Sequence, residues 1–253
     1  MSDHSNGDTE AYSAAIRRRF KRSLNLSMLV VVALCAVFFA QPLLATLTPF
    51  ALVPHETQGL LGVLTAPLLH GSFEHLASNA FSILVLGTLA GTLYPSALLR
   101  ALPLLWLGSG LGTWLIATGG QHIGASGVGH GLMFFLATVG LIRRDRPAIA
   151  AMLIAMFFFG GMLLSILPQQ PGISWEYHLS GAAFGIIAGL LWARRDAGPP
   201  KPRYSWEDEP EVDEDLLTLE PPRPDDVPVL WHRPDEERGK VLEFRRRDPD
   251  SVN

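Results

Sequence analysis

The chain has 253 residues, of which 48% are hydrophobic and only 17% charged, and its formal net charge is −4. Its one cysteine, Cys35, rules out an intrachain disulfide and a thiolate metal cluster. No phosphate-binding glycine loop or His-Glu-x-x-His zinc motif occurs, and the basic residues border apolar runs instead of forming a soluble face, so metal, cofactor and nucleic acid are not expected.

Apolar runs fall at 24–52, 75–95, 96–117, 126–142, 147–167 and 176–193. A membrane span needs about 20 mostly apolar residues, so these predict six transmembrane helices in an all-α membrane domain at 24–195. The first run exceeds the about 7–15 residues of a signal-peptide core and reads as a retained span. Tyr94-Pro95-Ser96 alone divides the second run from the third, because proline favours a helix start. Residues 1–23 precede the domain as a polar, loose segment with a basic cluster. Residues 196–253 follow it with 17 Asp or Glu against 9 Lys or Arg and frequent prolines. Such a tail buries too little apolar surface to offset its ordering entropy, so disorder is expected there. The islands Val227–Trp231 and Val241–Arg247 read as docking motifs or incidental hydrophobes of a solvated tail, with no partner named.

Cytoplasmic loops are enriched in Lys and Arg. Arg17, Arg18, Arg19, Lys21 and Arg22 precede the first run, Arg100 follows the 94–96 turn, Arg143, Arg144 and Arg146 separate the fourth from the fifth, and Arg194 and Arg195 follow the sixth. The loops at 53–74, 118–125 and 168–175 contain neither Lys nor Arg. The expectation is a multi-pass protein with both termini cytoplasmic, in a bacterial inner membrane.

In that topology the second, fourth and sixth helices enter from the outer side. Their first turns carry His75 with Asn79, Ser126, and His178, all near one depth. Residues i and i+4 share a helix face, so His75 and Asn79 point together. Polar groups at membrane depth usually face a bundle interior or a water-filled cavity and mark function. A serine hydroxyl becomes a nucleophile when a base takes its proton, and imidazole suits that task. Ser126 with His178 is a candidate catalytic dyad for acyl transfer. Asn79, His75 and the Ser126 backbone N–H are candidate oxyanion donors. Gly124 and Gly127 let the backbone bend and approach at the serine. Gly181, Gly185 and Gly189 recur every four residues, a pattern that permits close helix contact. Glu74 suits the positive end of its helix and is assigned no chemistry. Each feature alone also has a packing explanation.

Together, the segment His70–Asn79, Gly124-Ala125-Ser126-Gly127 and His178–Gly185 resemble, in order and spacing, the three signature blocks of rhomboid intramembrane serine proteases. The resemblance covers residues 24–195. It implies a six-helix bundle that cleaves transmembrane segments of other membrane proteins without metal or cofactor. It implies Ser126 as nucleophile, His178 as general base, and His75 and Asn79 as oxyanion stabilisers. Gly181 and Gly185 match the small residues that bring the sixth helix against the fourth. Two positions depart from the pattern. His130 stands where an aromatic residue often stacks on the catalytic histidine; its imidazole can stack, shift His178 or compete for the Ser126 proton. The loop at 53–74 is short and lacks the family's Trp-Arg pair. The alternatives are a catalytically inactive rhomboid-like protein that binds client helices and, from a third class, a transporter, against which no Pro/Gly-broken pair of segments appears in corresponding halves.

Overall fold

The computed structural model describes residues 3–44, 46–168 and 172–200. The acidic tail beyond residue 200, with its expected disorder and both of its apolar islands, lies outside the described residues.

The described chain is nearly all helical. We label the main helices α1 (Asp3–Ala40), α2 (Leu60–Thr65), α3 (Phe73–Leu93), α4 (Pro95–Ile116), α5 (Ser126–Arg143), α6 (Arg146–Phe159) and α7 (Trp175–Trp192). Segments of five are long and apolar enough to cross a membrane: Glu10–Leu43, Phe73–Leu93, Pro95–Ile116, Ser126–Arg143 and Arg146–Ile166. Their composition makes this an integral membrane protein.

α7, the sixth expected span, is a helix of 18 residues outside that set. Its first turn holds Glu176, Tyr177 and His178, which dilute its apolar character. Two other boundaries differ from expectation. Residues from Asp3 onward are already helical, continuous with the first span. That span also stops well short of residue 52, because Pro42 sits in a short 3₁₀ turn after Ala40 and Pro49 in a second one.

α5 is the central element. Leu132, Met133, Phe135, Leu136 and Val139 on it are at most 2% exposed. α1 and α6 instead leave Leu29, Val32, Leu153 and Phe157 outward. In lipid no hydrophobic force separates these two sets, since acyl chains are as apolar as leucine; helix association rests on packing and hydrogen bonds.

Small residues set that packing. A Cβ at Gly181 or Gly185 would collide with the carbonyl oxygen of Gly127 or Gly131, so the backbones of α5 and α7 touch. Gly87 and Gly91 on α3 face Ser27 and Ser23 on α1 in the same way. Just before Gly91 and including Gly87, α3 contains a π-helical turn at Ile83–Gly87, an insertion type that re-aims the residues before and after it.

At the basic end, Asp196 accepts hydrogen bonds from the Ser96 and Ala97 N–H groups at 3.0 and 2.9 Å, capping α4. Arg143 donates to the Asp196 and Ala193 carbonyls, pairs with Asp145 at 2.8 Å and lies over the Tyr94 ring. Asp196, expected to open the tail, is 8% exposed and locks α4, α5 and α7 together.

Candidate active site

The site assembles on the turns that start α3, α5 and α7. Ser72 caps α3 by accepting from the His75 N–H, and α3 then presents His75 and, one turn later, Asn79. The loop before α5 is held by the preceding segment. Leu52 and His122 exchange two backbone hydrogen bonds at 3.0 and 2.9 Å, and the Gly124 N–H donates to the Ala66 carbonyl at 2.8 Å. Gly124 has φ +110°, a left-handed conformation that needs glycine. A Cβ there would strike the His75 ring and come within 3.2 Å of Asn79 Nδ2. This glycine therefore places the start of α5 directly against both candidate oxyanion donors.

Ser126 is the first residue of α5, where backbone N–H groups have no intrahelical partner. Its side chain lines a cavity of about 770 Å³ together with His75, Asn79, His130, Ser165 and His178. All four residues expected at one depth thus share one cavity. Asn79 is 5% exposed, and its Nδ2 is buried with no hydrogen-bond partner among the described residues. An orphaned buried donor costs about 1–3 kcal/mol, and such groups persist where a ligand atom completes them.

His178 is fixed through its Nδ1, which donates to the Ser165 carbonyl at 3.1 Å. That bond selects the tautomer whose Nε2 is free to accept a proton. Among the described residues no hydrogen bond joins Ser126 to His178; such contacts are often long in resting enzymes and tighten with substrate.

His130 stacks on His178 with ring centroids 4.0 Å apart and an interplanar angle of 14°. Its Nδ1 donates to the Ser126 carbonyl at 2.7 Å, and its Nε2 lies 2.9 Å from Ser165 Oγ. Both nitrogens are thereby occupied away from the Ser126 hydroxyl. Of the roles open to His130, the geometry provides the stacking one and not competition for the serine proton.

Ser165 went unnoticed in sequence, though it lies in the cavity and touches both histidines. It sits on the 3₁₀ segment Gly160–Ile166 that extends α6. No motif marks it, because its carbonyl does the orienting and any residue type carries one.

His70 stands just before the site. Its backbone is gripped by the Gln41 amide on both sides, at 2.8 and 2.9 Å, and its ring is buried edge-on to His75. Burial, with the nearby His75 adding repulsion, pushes its pKa down to about 4. Burial also lowers that of His122. A folded-state pKa below the unfolded value of about 6.5 means that the unfolded chain binds more protons between about pH 6.5 and 4, so stability falls as pH drops through that window. The melting temperature of the purified protein is expected to fall from pH 7 to pH 4.5, and less steeply in His70→Leu; a flat profile in the wild type would contradict this.

Comparison with known families supplies the class. A Rhomboid domain matches residues 57–195, and the chain belongs to the rhomboid family. An uncharacterized protein of Mycobacterium tuberculosis is 43% identical over 150 residues, covering 54% of this chain and 61% of that relative. An uncharacterized protein of Mycobacterium bovis matches to the same extent. One from Mycobacterium leprae is 35% identical over 166 residues, covering 58% of this chain and 65% of the relative. The chain thus spans a little over three fifths of the length of these relatives.

Proposed function

We propose that the protein is an intramembrane serine endopeptidase that cuts transmembrane segments of other membrane proteins. The observation that carries this reading is the common cavity that Ser126, His178, His75 and Asn79 line. In the mechanism, the Ser126 hydroxyl attacks a peptide carbonyl of an unwound substrate segment while His178 Nε2 takes the hydroxyl proton. The negative oxygen of the tetrahedral intermediate accepts hydrogen bonds from Asn79 Nδ2, the His75 ring and the Ser126 N–H. His178 returns the proton to the departing amine as the C–N bond breaks, leaving an acyl ester on Ser126. Water, deprotonated by His178, then releases the acid and regenerates the serine. Unwinding comes first because an intact helix holds its carbonyls in backbone hydrogen bonds that lipid cannot replace.

On this reading α7 is the sixth span. Its 18 residues rise about 27 Å at 1.5 Å each, close to the about 30 Å hydrocarbon core. Its glycines press on α5, so the polar first turn faces protein and cavity instead of lipid. The basic residues favour cytoplasmic termini, and the mycobacterial relatives support a bacterial cytoplasmic membrane.

The experiment is cleavage of a model transmembrane substrate in proteoliposomes, with products located by mass spectrometry. Wild type is expected to cut within or beside the span and Ser126→Ala to leave it intact. Asn79→Ala, which removes one oxyanion donor, is expected to lower kcat about 100- to 1000-fold with little change in KM. A well-folded wild type that binds client helices and cleaves none would replace the protease reading with the client-binding one.

A further inference from the structure

A second cavity of about 750 Å³ lies away from the active site, between α1 and α4, with α3 and α5 forming its back wall. Its two ends differ in chemistry. At one end are Arg19 and Arg22 of α1 and Arg100 of α4; along its length run Leu26, Val30 and Leu102. Among the described residues no carboxylate pairs with any of the three arginines. Arg100 donates one N–H to the Ser96 carbonyl at 2.7 Å, which holds its guanidinium beside the turn between α3 and α4. The far end is closed by Pro67, Leu68 and Trp106, and Trp106 Nε1 donates to the Leu64 carbonyl at 3.2 Å.

The closeness of α1 to α3 explains why the cleft exists. Ser23 and Ser27 seat against Gly91 and Gly87, pulling α1 onto α3 and leaving its next face, Leu26 and Val30, turned to α4 without meeting it. From Arg22 to Leu34, both on the lining, the helix rises about 18 Å, slightly more than half of an about 30 Å hydrocarbon core. A cationic mouth on an apolar slot one leaflet deep fits one class of molecule, in which a phosphate sits at the arginines and an acyl chain fills the slot.

We propose that this cleft binds an anionic phospholipid of the leaflet at the basic end. The site is independent of the peptidase reading. Its inner wall includes Ala125 and Val128, whose neighbour Ser126 faces the other cavity, so the lipid packs against the back of the segment that carries the candidate nucleophile.

The test is native mass spectrometry of the full-length protein in detergent, equilibrated with equal amounts of phosphatidylglycerol and phosphatidylcholine. Wild type is expected to retain phosphatidylglycerol about tenfold over phosphatidylcholine. Arg22→Gln/Arg100→Gln is expected to bring the ratio to near one, and Arg22→Lys/Arg100→Lys, which keeps the charge, to preserve most of it. Leu102→Trp, which adds bulk on the slot's lining, is expected to lower retention with all three arginines intact. Equal retention of both lipids by wild type, or unchanged selectivity in the Gln variant, would overturn the proposal. So would a photo-crosslinker at Leu26 that captures the chain's own acidic residues 207–215 instead of lipid, since those would then be the occupant.

Discussion

His178→Ala is expected to lower cleavage of a transmembrane substrate by about 10⁴-fold or more, a loss as large as that of Ser126→Ala. Groups that act as one unit are grossly non-additive, so the double variant should be no slower than either single one. The geometry explains why the loss is so complete. Ser165 holds His178 by Nδ1 and leaves its Nε2 without a competing hydrogen bond, while His130, the neighbouring imidazole, has both nitrogens engaged elsewhere. His75, which lines the same cavity, donates to the oxyanion on this reading and is not the acceptor of the serine proton. The check is the rate of single-turnover cleavage in proteoliposomes, with helical content by circular dichroism as the folding control. A His178→Ala protein within tenfold of wild type would mean that another group takes the serine proton.

Gly181→Val is expected to be the most damaging change outside the polar residues, because it attacks the positions of Ser126 and His178 together. A Cβ at this site meets the Gly127 carbonyl oxygen, a backbone atom that no rotamer change can move. α7 must then swing away from α5, carrying His178 with it. A misplacement of about 1 Å costs on the order of 100-fold in rate, and the lost packing lowers stability as well. We expect at least a 100-fold loss of activity and a clearly reduced melting temperature. Gly161→Val, where a Cβ meets nothing within 4 Å, serves as the matched control and is expected to behave as wild type in melting. Equal melting of the two variants would show that α5 and α7 do not touch as described.

What the sequence made legible follows from which interactions are local. Helix starts could be read from Pro95, from Glu74 and from the Gly-Ala-Ser-Gly turn, because each acts within one helical turn. The grouping of His75, Asn79, Ser126 and His178 could be read from the alternating directions that the arginines imply. Interactions between distant segments left weaker marks. Arg143 looked like a topology residue and proves also to be a clamp on Asp196, 53 positions away. Asp196 looked like the start of an acidic tail, since nothing near it in sequence announces the α4 N–H groups that it caps. The short loop at 53–74 gave no hint that its Ala66 carbonyl would hold Gly124, nor could residue type reveal the Ser165 carbonyl behind His178. His130 was the intermediate case: its spacing from Ser126 placed it on the right face, and only its partners decided between stacking and competing.

The most direct test of the Ser126 and His178 assignment is covalent. Purified full-length protein would be treated with a serine-reactive fluorophosphonate, and the adduct located by peptide mass spectrometry in wild type and in His178→Ala. One adduct is expected, on Ser126, lost in His178→Ala and absent after denaturation before treatment. An adduct on another serine, or labelling of Ser126 that persists at full rate without His178, would contradict the assignment.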